Sequence, residues 1–352
     1  MSEPEQKPAK PKRRVRYGGT HPRRFEEKYK EHQPDKYGET VAKVLASGKT
    51  PAGMHRSIMV DEILATLEPK PGEIYLDATL GYGGHASAVL PRILPNGLLI
   101  GLDVDPLELP RTEERLRSSF PAENILIRRI NFAGISKALA EKEIPGVHMI
   151  LADLGVSSMQ IDNPARGFTF KVDGPLDLRM NPERGQPASA LLKQLTEERL
   201  AELLRQNADE PHAAALAQCI ASSRTPIATT QQLASLIRGA LKRLTPEEQT
   251  NAIRRTFQAL RIAVNDEFGA LDSLLAQIPA CLLPGGRVAI LTFHSGEDRR
   301  VKHSFKAGLE SGVYSRISEE VVRPTAQEVG QNPRASSAKL RWAVRANAEM
   351  QR

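Results

Sequence analysis

The chain has 352 residues, 40% of them hydrophobic, and it carries 49 Lys and Arg residues against 42 Asp and Glu residues. This length suffices for one large domain with an insertion, and no run of 18 apolar residues suggests a membrane span. The polar start argues against a secretory signal. Two widely separated cysteines, Cys219 and Cys281, argue against a disulfide framework and favour buried free thiols in a reducing cytoplasm.

The first 50 residues form a basic extension with 13 Lys and Arg residues and 7 Asp and Glu residues. Most of the net charge of +7 therefore lies there, and the rest of the chain is nearly neutral. Such arms bind nucleic-acid phosphates without reading sequence, although this composition is also typical of a disordered solubilising tail. We expect residues 1–20 to act as an arm and residues 21–50 to dock on the body through Phe25, Tyr29 and Tyr37.

From residue 73 onward, short apolar runs alternate with helical stretches. The runs predict strands near Ile74–Asp77, Leu98–Asp103, Ile125–Arg129 and Met149–Asp153. Short buried strands separated by helices are typical of a parallel sheet covered on both faces. The expected fold class is therefore α/β, with a doubly wound, Rossmann-like sheet.

The turn after the first strand is the strongest functional signal in the chain. It reads Asp77-Ala78-Thr79-Leu80-Gly81-Tyr82-Gly83-Gly84-His85. Glycines let the backbone approach a ligand closely, and a helix that starts there presents free N–H groups. The second strand ends in Asp103, where a carboxylate can accept the hydroxyls of a ribose. Together these features predict a site for a nucleoside-containing cofactor.

Two cofactors fit this turn. The spacing Gly81-x-Gly83-x-x-Ala86 matches the dinucleotide pattern, which favours NAD. The alternative is S-adenosylmethionine, whose positively charged methionine end would be stabilised by Asp77.

After Asp162 the pattern changes to a Gly-, Pro-, Asp- and Arg-rich segment over residues 164–185, followed by amphipathic helices. One helix is predicted behind Thr196, another near Pro211 and another near Thr230. Strands resume only at Arg287–Thr292. We therefore predict the extension at 1–50, a sheet domain formed by 51–163 and 255–352, and an all-helical insertion at 164–254.

Six further motifs follow in order along the chain. They are His55–Glu62, Asp153–Ser158, Arg166–Phe168 with Asp173–Asp177, Arg255–Arg261, Phe293–Arg299 and Asn332–Ala335. This set resembles the RsmH (MraW) family, bacterial methyltransferases that act on the N4 amine of a cytidine in small-subunit ribosomal RNA. The resemblance runs from about His55 to Val344, so we expect the first fifty residues to be an addition to the family pattern.

The resemblance implies a class I methyltransferase sheet, S-adenosyl-L-methionine as cofactor, and 16S rRNA in the small ribosomal subunit as partner. It also implies a cytoplasmic location, no membrane contact and a substrate-recognition role for the insertion. It assigns Phe132, Asp153 and Gln160 to the cofactor and makes His85 a cofactor-loop residue whose backbone matters most. Gly83, Gly84 and Asp103 are already predicted to bind the cofactor from the turn and the second strand. We add Asp77 from its place at the end of the first strand. The family's usual proline before Gln160 is Met159 here.

Methylating an exocyclic amine requires alignment and an acceptor for the proton that the amine loses. Asp153, at the end of the fourth strand, is the first catalytic candidate, and His294, just beyond the fifth strand, is the second. The helix after His294 is expected to be capped by Ser295, with Asp298 three residues on. His303 is left without a role.

Amino-directed methyltransferases often place an aromatic residue after the acid of the fourth strand, but this chain reads Asp153-Leu154-Gly155-Val156. Stacking on the target base would then come from Phe168 or Phe170, each of which could equally be an ordinary core residue.

Arg254, Arg255 and Arg261 lie on one predicted helix. They could contact RNA phosphates, or they could pair with Glu247 and Glu248 at the start of that helix. No His and Cys cluster has metal-ligand spacing, so no metal is expected.

Two other classes of protein remain open, together with a methyltransferase of the same family that acts on a different RNA site. An NAD-dependent dehydrogenase would need a hydride-transfer acid and base, and none stands out. A non-catalytic RNA-binding relative would be expected to lack Asp103 or Asp153. Whether the chain forms a homodimer stays open.

Overall fold

The structure is a computed structural model, and it describes residues 57–347. Its seven strands are β1 Ile74–Asp77, β2 Leu98–Asp103, β3 Ile125–Arg129, β4 Val147–Asp153, β5 Leu282–Thr292, β6 Tyr314–Ile317 and β7 Lys339–Arg345. They form one sheet in the order β3-β2-β1-β4-β5-β7-β6. The first five strands run parallel, whereas β7 is antiparallel to both β5 and β6. The predicted doubly wound α/β sheet is confirmed.

The helices around the sheet include α1 Val60–Leu67, α2 Gly84–Ile93, α3 Leu109–Ser119, α4 Ile135–Ala140 and α5 Ser158–Asp162. Between β4 and β5 follow α6 Ala188–Gln194, α7 Glu197–Ala208, α8 Ala213–Ala221, α9 Thr230–Ala240, α10 Pro246–Asn265 and α11 Glu267–Cys281. Two more, α12 Ser295–Glu310 and α13 Ala326–Gln331, lie before β6 and β7 respectively. No helix within residues 57–347 combines the length and apolarity needed to cross a bilayer.

The sheet separates two apolar layers, because successive strand residues point to opposite faces. Leu76 and Ile150 belong to the layer that also contains residues of α11 and α12. Tyr75 and Met149, one position earlier on the same strands, belong to the layer formed with α1, α2 and α3. Burial on both faces explains why these strands read as continuous apolar runs in the sequence.

The helical insertion has an apolar cluster of its own, which runs from Leu176 to Leu260. Three of its helices, α7, α9 and α10, start at threonine caps, as at Thr196, whose hydroxyl accepts the N–H of Arg199. The predicted boundary between residues 254 and 255 falls inside α10, which continues unbroken to Asn265. The chain passes from the apolar cluster of the insertion to the core of the sheet at Asp266, a left-handed residue (φ 48°). The following helix, α11, packs on the sheet.

Both cysteines are free: Cys281 is buried, and Cys219 is half-buried. The basic extension, together with the expected docking of Phe25, Tyr29 and Tyr37, lies outside the described residues.

Candidate active site

Three carboxylates end neighbouring parallel strands at one edge of the sheet. Asp77 ends β1, Asp103 ends β2 and Asp153 ends β4, and β1 is paired to both of the other two strands. The strand order reverses at β1, and open α/β sheets bind ligands in the crevice at such a reversal. The predicted acids therefore face one crevice.

The glycine turn lies directly over this edge. Gly81 (φ +49°) and Gly83 (φ +72°) adopt left-handed backbone, which costs L side chains conformational energy. The N–H of Gly81 donates to Oδ2 of Asp103 at 2.7 Å. At Gly84, the first residue of α2, an added Cβ would meet the hydroxyl of Ser57 at 1.9 Å. The turn thus holds the acid of β2 against the start of α2.

Asp103 also accepts the N–H of Asp105 at 2.9 Å. Burial raises the pKa of Asp103 above its ordinary value, although these backbone hydrogen bonds oppose the rise. Each carboxylate oxygen keeps lone-pair capacity beyond the one bond that it accepts here. Asp103 therefore has free acceptor capacity, and its contact with the two hydroxyls of a ribose stays a prediction.

Asp77 is the most deeply buried of the three acids, with 1% of its surface exposed. It accepts the hydroxyl of Tyr75 and the N–H of Thr79, both at 3.2 Å. Burial raises the pKa of Asp77 to about 6; His85 opposes the rise, and Asp153 adds to it. A buried carboxylate whose charged form is disfavoured in this way is typical of a site that uses negative charge to bind a ligand.

His85 turns its side chain toward Asp153. Nε2 lies 3.4 Å from Oδ2 of Asp153, and only 7% of the His85 side chain is exposed against 28% for Asp153. Both ring nitrogens of His85 lack a hydrogen-bond partner among residues 57–347. The backbone N–H of Asp153 is held by the hydroxyl of Thr79 at 2.6 Å. His85 was predicted from the cofactor turn alone, so its contact with β4 is a feature that the sequence missed.

Gln160 lies in α5 and closes a capping box with Ser157. Its Nε2 donates to Oδ2 of Asp105 at 2.8 Å, and Oε1 accepts the N–H of Ser157 at 2.9 Å. Asp105 also forms a buried ion pair with Arg166 at 2.8 Å. Gln160 is thus tied to the loop after β2, beside Asp103. The sequence analysis assigned no role to Asp105 or Arg166, although Arg166 lies inside one of the family motifs.

Phe132 lies three residues beyond the end of β3, in a short 3-10 turn capped by Asn131. Its ring is partly buried against the sheet core. Phe132 thus follows the carboxyl end of the strand next to β2, and its contact with the cofactor stays a prediction.

His294 caps the start of α12, an interaction that the sequence did not predict. The N-cap is His294 itself: Nδ1 accepts the N–H of Glu297, and Nε2 lies 3.2 Å from Oε1 of Glu297. The predicted cap at Ser295 with Asp298 is wrong. Nδ1 of His294 is therefore engaged by the cap, whereas Nε2, although close to Glu297, has no hydrogen-bond partner among the described residues. Its catalytic role remains a prediction.

Arg261, the third arginine predicted to contact RNA, is mostly buried and is paired with a carboxylate. Its guanidinium makes two hydrogen bonds to Glu267, at 2.7 and 2.8 Å, and 16% of its side chain is exposed. The predicted alternatives, Glu247 and Glu248, lie at the far end of α10, where Glu248 completes the capping box of Thr245. The left-handed turn at Asp266 brings Glu267 back against Arg261.

The same cluster contains a buried Glu297. Burial would raise its pKa, but the hydrogen bond from His294 and the charge of Arg261 lower it overall. Glu267, His294 and Glu297 are the described residues spaced to hold a metal ion. Arg261 already makes two hydrogen bonds to the carboxylate of Glu267, so a metal ion would compete with the guanidinium for this ligand.

The other predicted RNA contacts lie on the insertion. Arg254 is exposed, and Arg255 lies 3.7 Å from the buried Glu210 with 41% of its side chain exposed. Phe170 packs against Phe257, with ring centroids 5.6 Å apart, which is the ordinary core contact. Phe168 is partly buried against the same cluster.

Comparison with known proteins places this geometry in a family. The model of the MraW methylase family matches residues 52–346. Ribosomal RNA small subunit methyltransferase H 2 of Alkaliphilus metalliredigens is 52% identical over 345 residues, covering 96% of this chain and 98% of the relative. Ribosomal RNA small subunit methyltransferase H 1 of Lachnoclostridium phytofermentans is 51% identical, with 95% and 93% covered.

These alignments reach into the basic extension, because they cover nearly the whole of this chain. By contrast, ribosomal RNA small subunit methyltransferase H of Heliobacterium modesticaldum, 40% identical, covers 82% of this chain and 97% of its own. The family model starts only at residue 52, so the extension lies outside the family pattern, as expected, although the Alkaliphilus and Lachnoclostridium relatives share most of it. With a family model matched over most of its length and relatives of about 50% identity, the chain belongs to the MraW methylase family.

Proposed function

We propose that the chain transfers a methyl group from S-adenosyl-L-methionine to the N4 amine of a cytidine in 16S rRNA of the small ribosomal subunit. The observation that carries the proposal is the crevice formed by Asp77, Asp103 and Asp153 beneath the glycine turn. The names of its relatives, small-subunit rRNA methyltransferases, supply the substrate class. The protein would act in the cytoplasm, where small subunits are assembled.

The residues of the crevice fit this cofactor. Asp103 can accept the ribose hydroxyls, and Phe132 lies in the turn that follows β3, the strand paired with β2. Asp77, buried at the end of β1, supplies negative charge for the cationic methionine end. When bound, S-adenosylmethionine supplies a methyl group on a positively charged sulfur.

The same residues favour S-adenosylmethionine over NAD. NAD would place a pyrophosphate, and thus two further negative charges, next to a crevice that already holds three carboxylates. A cofactor with a positive centre balances the charge of Asp77, which burial alone makes costly to ionise.

The attacking amine needs an acceptor at the edge of the sheet. Asp153 keeps 28% of its side chain exposed, whereas Asp77 is almost fully buried, so Asp153 can accept a hydrogen bond from the amine. That bond draws the nitrogen lone pair out of the ring and orients it for in-line attack.

The helical insertion would hold the RNA. Arg254 and Arg255 supply charge on its surface, and Phe168 is the better placed of the two candidate aromatics, since Phe170 is used in the core. Arg261 is better assigned to the junction between α10 and α11.

Calorimetric titration with each cofactor tests the proposal. We expect S-adenosylmethionine to bind and NAD to show no heat of specific binding. Tight NAD binding without S-adenosylmethionine binding would end the proposal.

A further inference from the structure

The His85 side chain is buried beside the crevice and makes no hydrogen bond to any other residue between 57 and 347. Both ring nitrogens are inaccessible to solvent and have no hydrogen-bond partner within residues 57–347. Leaving a buried polar group unsatisfied costs on the order of 1–3 kcal/mol. Buried polar groups that lack a hydrogen bond call for a functional explanation. If the residue served only the packing of α2, an apolar side chain would stabilise the helix equally well.

The groups around His85 are acids and a phenol. Nε2 faces Oδ2 of Asp153 on β4 at 3.4 Å, and Asp77 on β1 lies near enough for its charge to interact with the ring. Tyr75, also on β1, donates its hydroxyl to Asp77. Asp153 alone of this group combines contact with His85 and a partly exposed carboxylate. It therefore connects the ring to the open crevice.

We propose that His85 is a positioning residue for Asp153 and the final acceptor of the proton that the substrate amine loses. The inference rests on the proposed function, because it needs an amine as the methyl acceptor. It gives the His85 side chain a role in proton transfer, separate from the contact of its turn with the cofactor.

The step balances as follows. The amine nitrogen forms its bond to the methyl carbon while the carbon–sulfur bond breaks, with the electron pair remaining on sulfur. The nitrogen then carries a positive charge, and one N–H bond breaks with its pair on nitrogen. Asp153 takes that proton and returns to its charged form by passing it from Oδ2 to Nε2 of neutral His85. The 3.4 Å separation shortens to a hydrogen bond when the site is loaded.

The matched variants are His85→Gln and His148→Gln. Glutamine keeps hydrogen-bonding capacity but takes up no proton near neutral pH. His148 lies at the opposite end of β4 from Asp153, where Nδ1 accepts the N–H of Ile74 at 3.0 Å. Its replacement therefore changes a histidine of the same strand far from the crevice.

Single-turnover methylation of unmodified small subunits is measured against pH at saturating S-adenosylmethionine, with cofactor affinity measured separately by calorimetry. We expect H85Q to lower the rate about 100-fold and to change the acid side of the pH profile, with cofactor affinity within about threefold of the wild type. H148Q should match the wild type in both. An unchanged rate and profile in H85Q, or a loss of cofactor affinity with the saturated rate intact, overturns the proposal.

A second measurement does not depend on catalysis or on the stability of H85Q. The ring nitrogen signals of His85 are followed by NMR in the wild type and in Asp153→Asn without cofactor. We expect the Asp153 change to shift the His85 signals and leave those of His148 in place; unshifted His85 signals contradict the contact. If the wild type methylates no cytidine, the proposed function fails. The NMR result still tests, independently of catalysis, whether His85 contacts Asp153.

Discussion

At the scale of single residues, the site depends on carboxylates whose burial makes the charged form energetically unfavourable. Asp77 is the clearest case, because burial raises its pKa to about 6 from an ordinary value of 3.8. The folded state therefore binds a proton more tightly than the unfolded state does. The contribution of Asp77 to stability is favourable at acid pH and is lost as the pH rises through about 6.

Replacing Asp77 with Asn should separate stability from function. We expect Asp77→Asn to raise the free energy of unfolding at pH 8 by on the order of 2 kcal/mol, because the neutral amide removes the buried charge. The gain should vanish near pH 4, and affinity for S-adenosylmethionine should fall. Chemical denaturation at the two pH values, with calorimetry for the cofactor, checks this. A loss of stability at pH 8 would show that the carboxylate is stabilising.

Asp153 should be required for the transfer and not for the fold. We expect Asp153→Ala to lower methylation of unmodified small subunits by about 100-fold or more, since the amine loses its acceptor in a site shielded from water. Circular dichroism should show an unchanged fold. Full activity would move the catalytic role to another residue, with His294 the next candidate; reduced cofactor affinity alone would make Asp153 a binding residue.

At the scale of elements, the junction of α10 and α11 carries a charge cluster that joins the insertion to the sheet domain. We expect Arg261→Met to destabilise the protein by about 3 kcal/mol, because it leaves Glu267 without its cation next to the buried Glu297. Thermal or denaturant unfolding measures the effect.

Arg254 on the same helix is the matched control, since it is exposed and bonded only to Asn251 among the described residues. Arg254→Ala should leave stability within about 0.5 kcal/mol and reduce the salt slope of RNA binding by about one. If Arg261→Met changed RNA affinity and left stability intact, the original assignment of Arg261 to RNA would be restored.

Elements that depend on local pattern were predictable, and those that depend on tertiary partners were not. The strands ending in Asp77, Asp103 and Asp153 follow from short apolar runs buried on both faces. The end of α10 could not be predicted from local pattern. This helix leaves the apolar cluster of the insertion, continues toward the sheet domain and ends only before Asp266, which has a left-handed backbone. His85 was assigned to the cofactor turn, but its partner lies on a strand more than sixty residues away, which local spacing cannot reveal.

At the scale of the whole molecule, the methyltransferase body is nearly neutral, and the charge lies in the first fifty residues. We expect deletion of residues 1–50 to weaken RNA binding and flatten its salt dependence, because fewer phosphates are neutralised. Cofactor affinity and the methylated position should not change.

The competing outcome of that deletion is a lower melting temperature with an unchanged salt slope, which would mean that the segment serves the fold. Both quantities are measured on the same truncated protein. A split result, obtained with a second truncation at residue 20, would assign the arm to residues 1–20 and docking to residues 21–50.

The central claim is methylation of a cytidine amine in small-subunit RNA, and nucleoside mass spectrometry tests it most directly. Small subunits from cells lacking the protein are incubated with the purified protein and S-adenosylmethionine, and their 16S rRNA is digested and mapped. The account predicts one new N4-methylcytidine, which is absent when Asp153→Ala is used. A methyl group on a ring carbon, on a ribose hydroxyl or on another base, or no methylation at all, would contradict it.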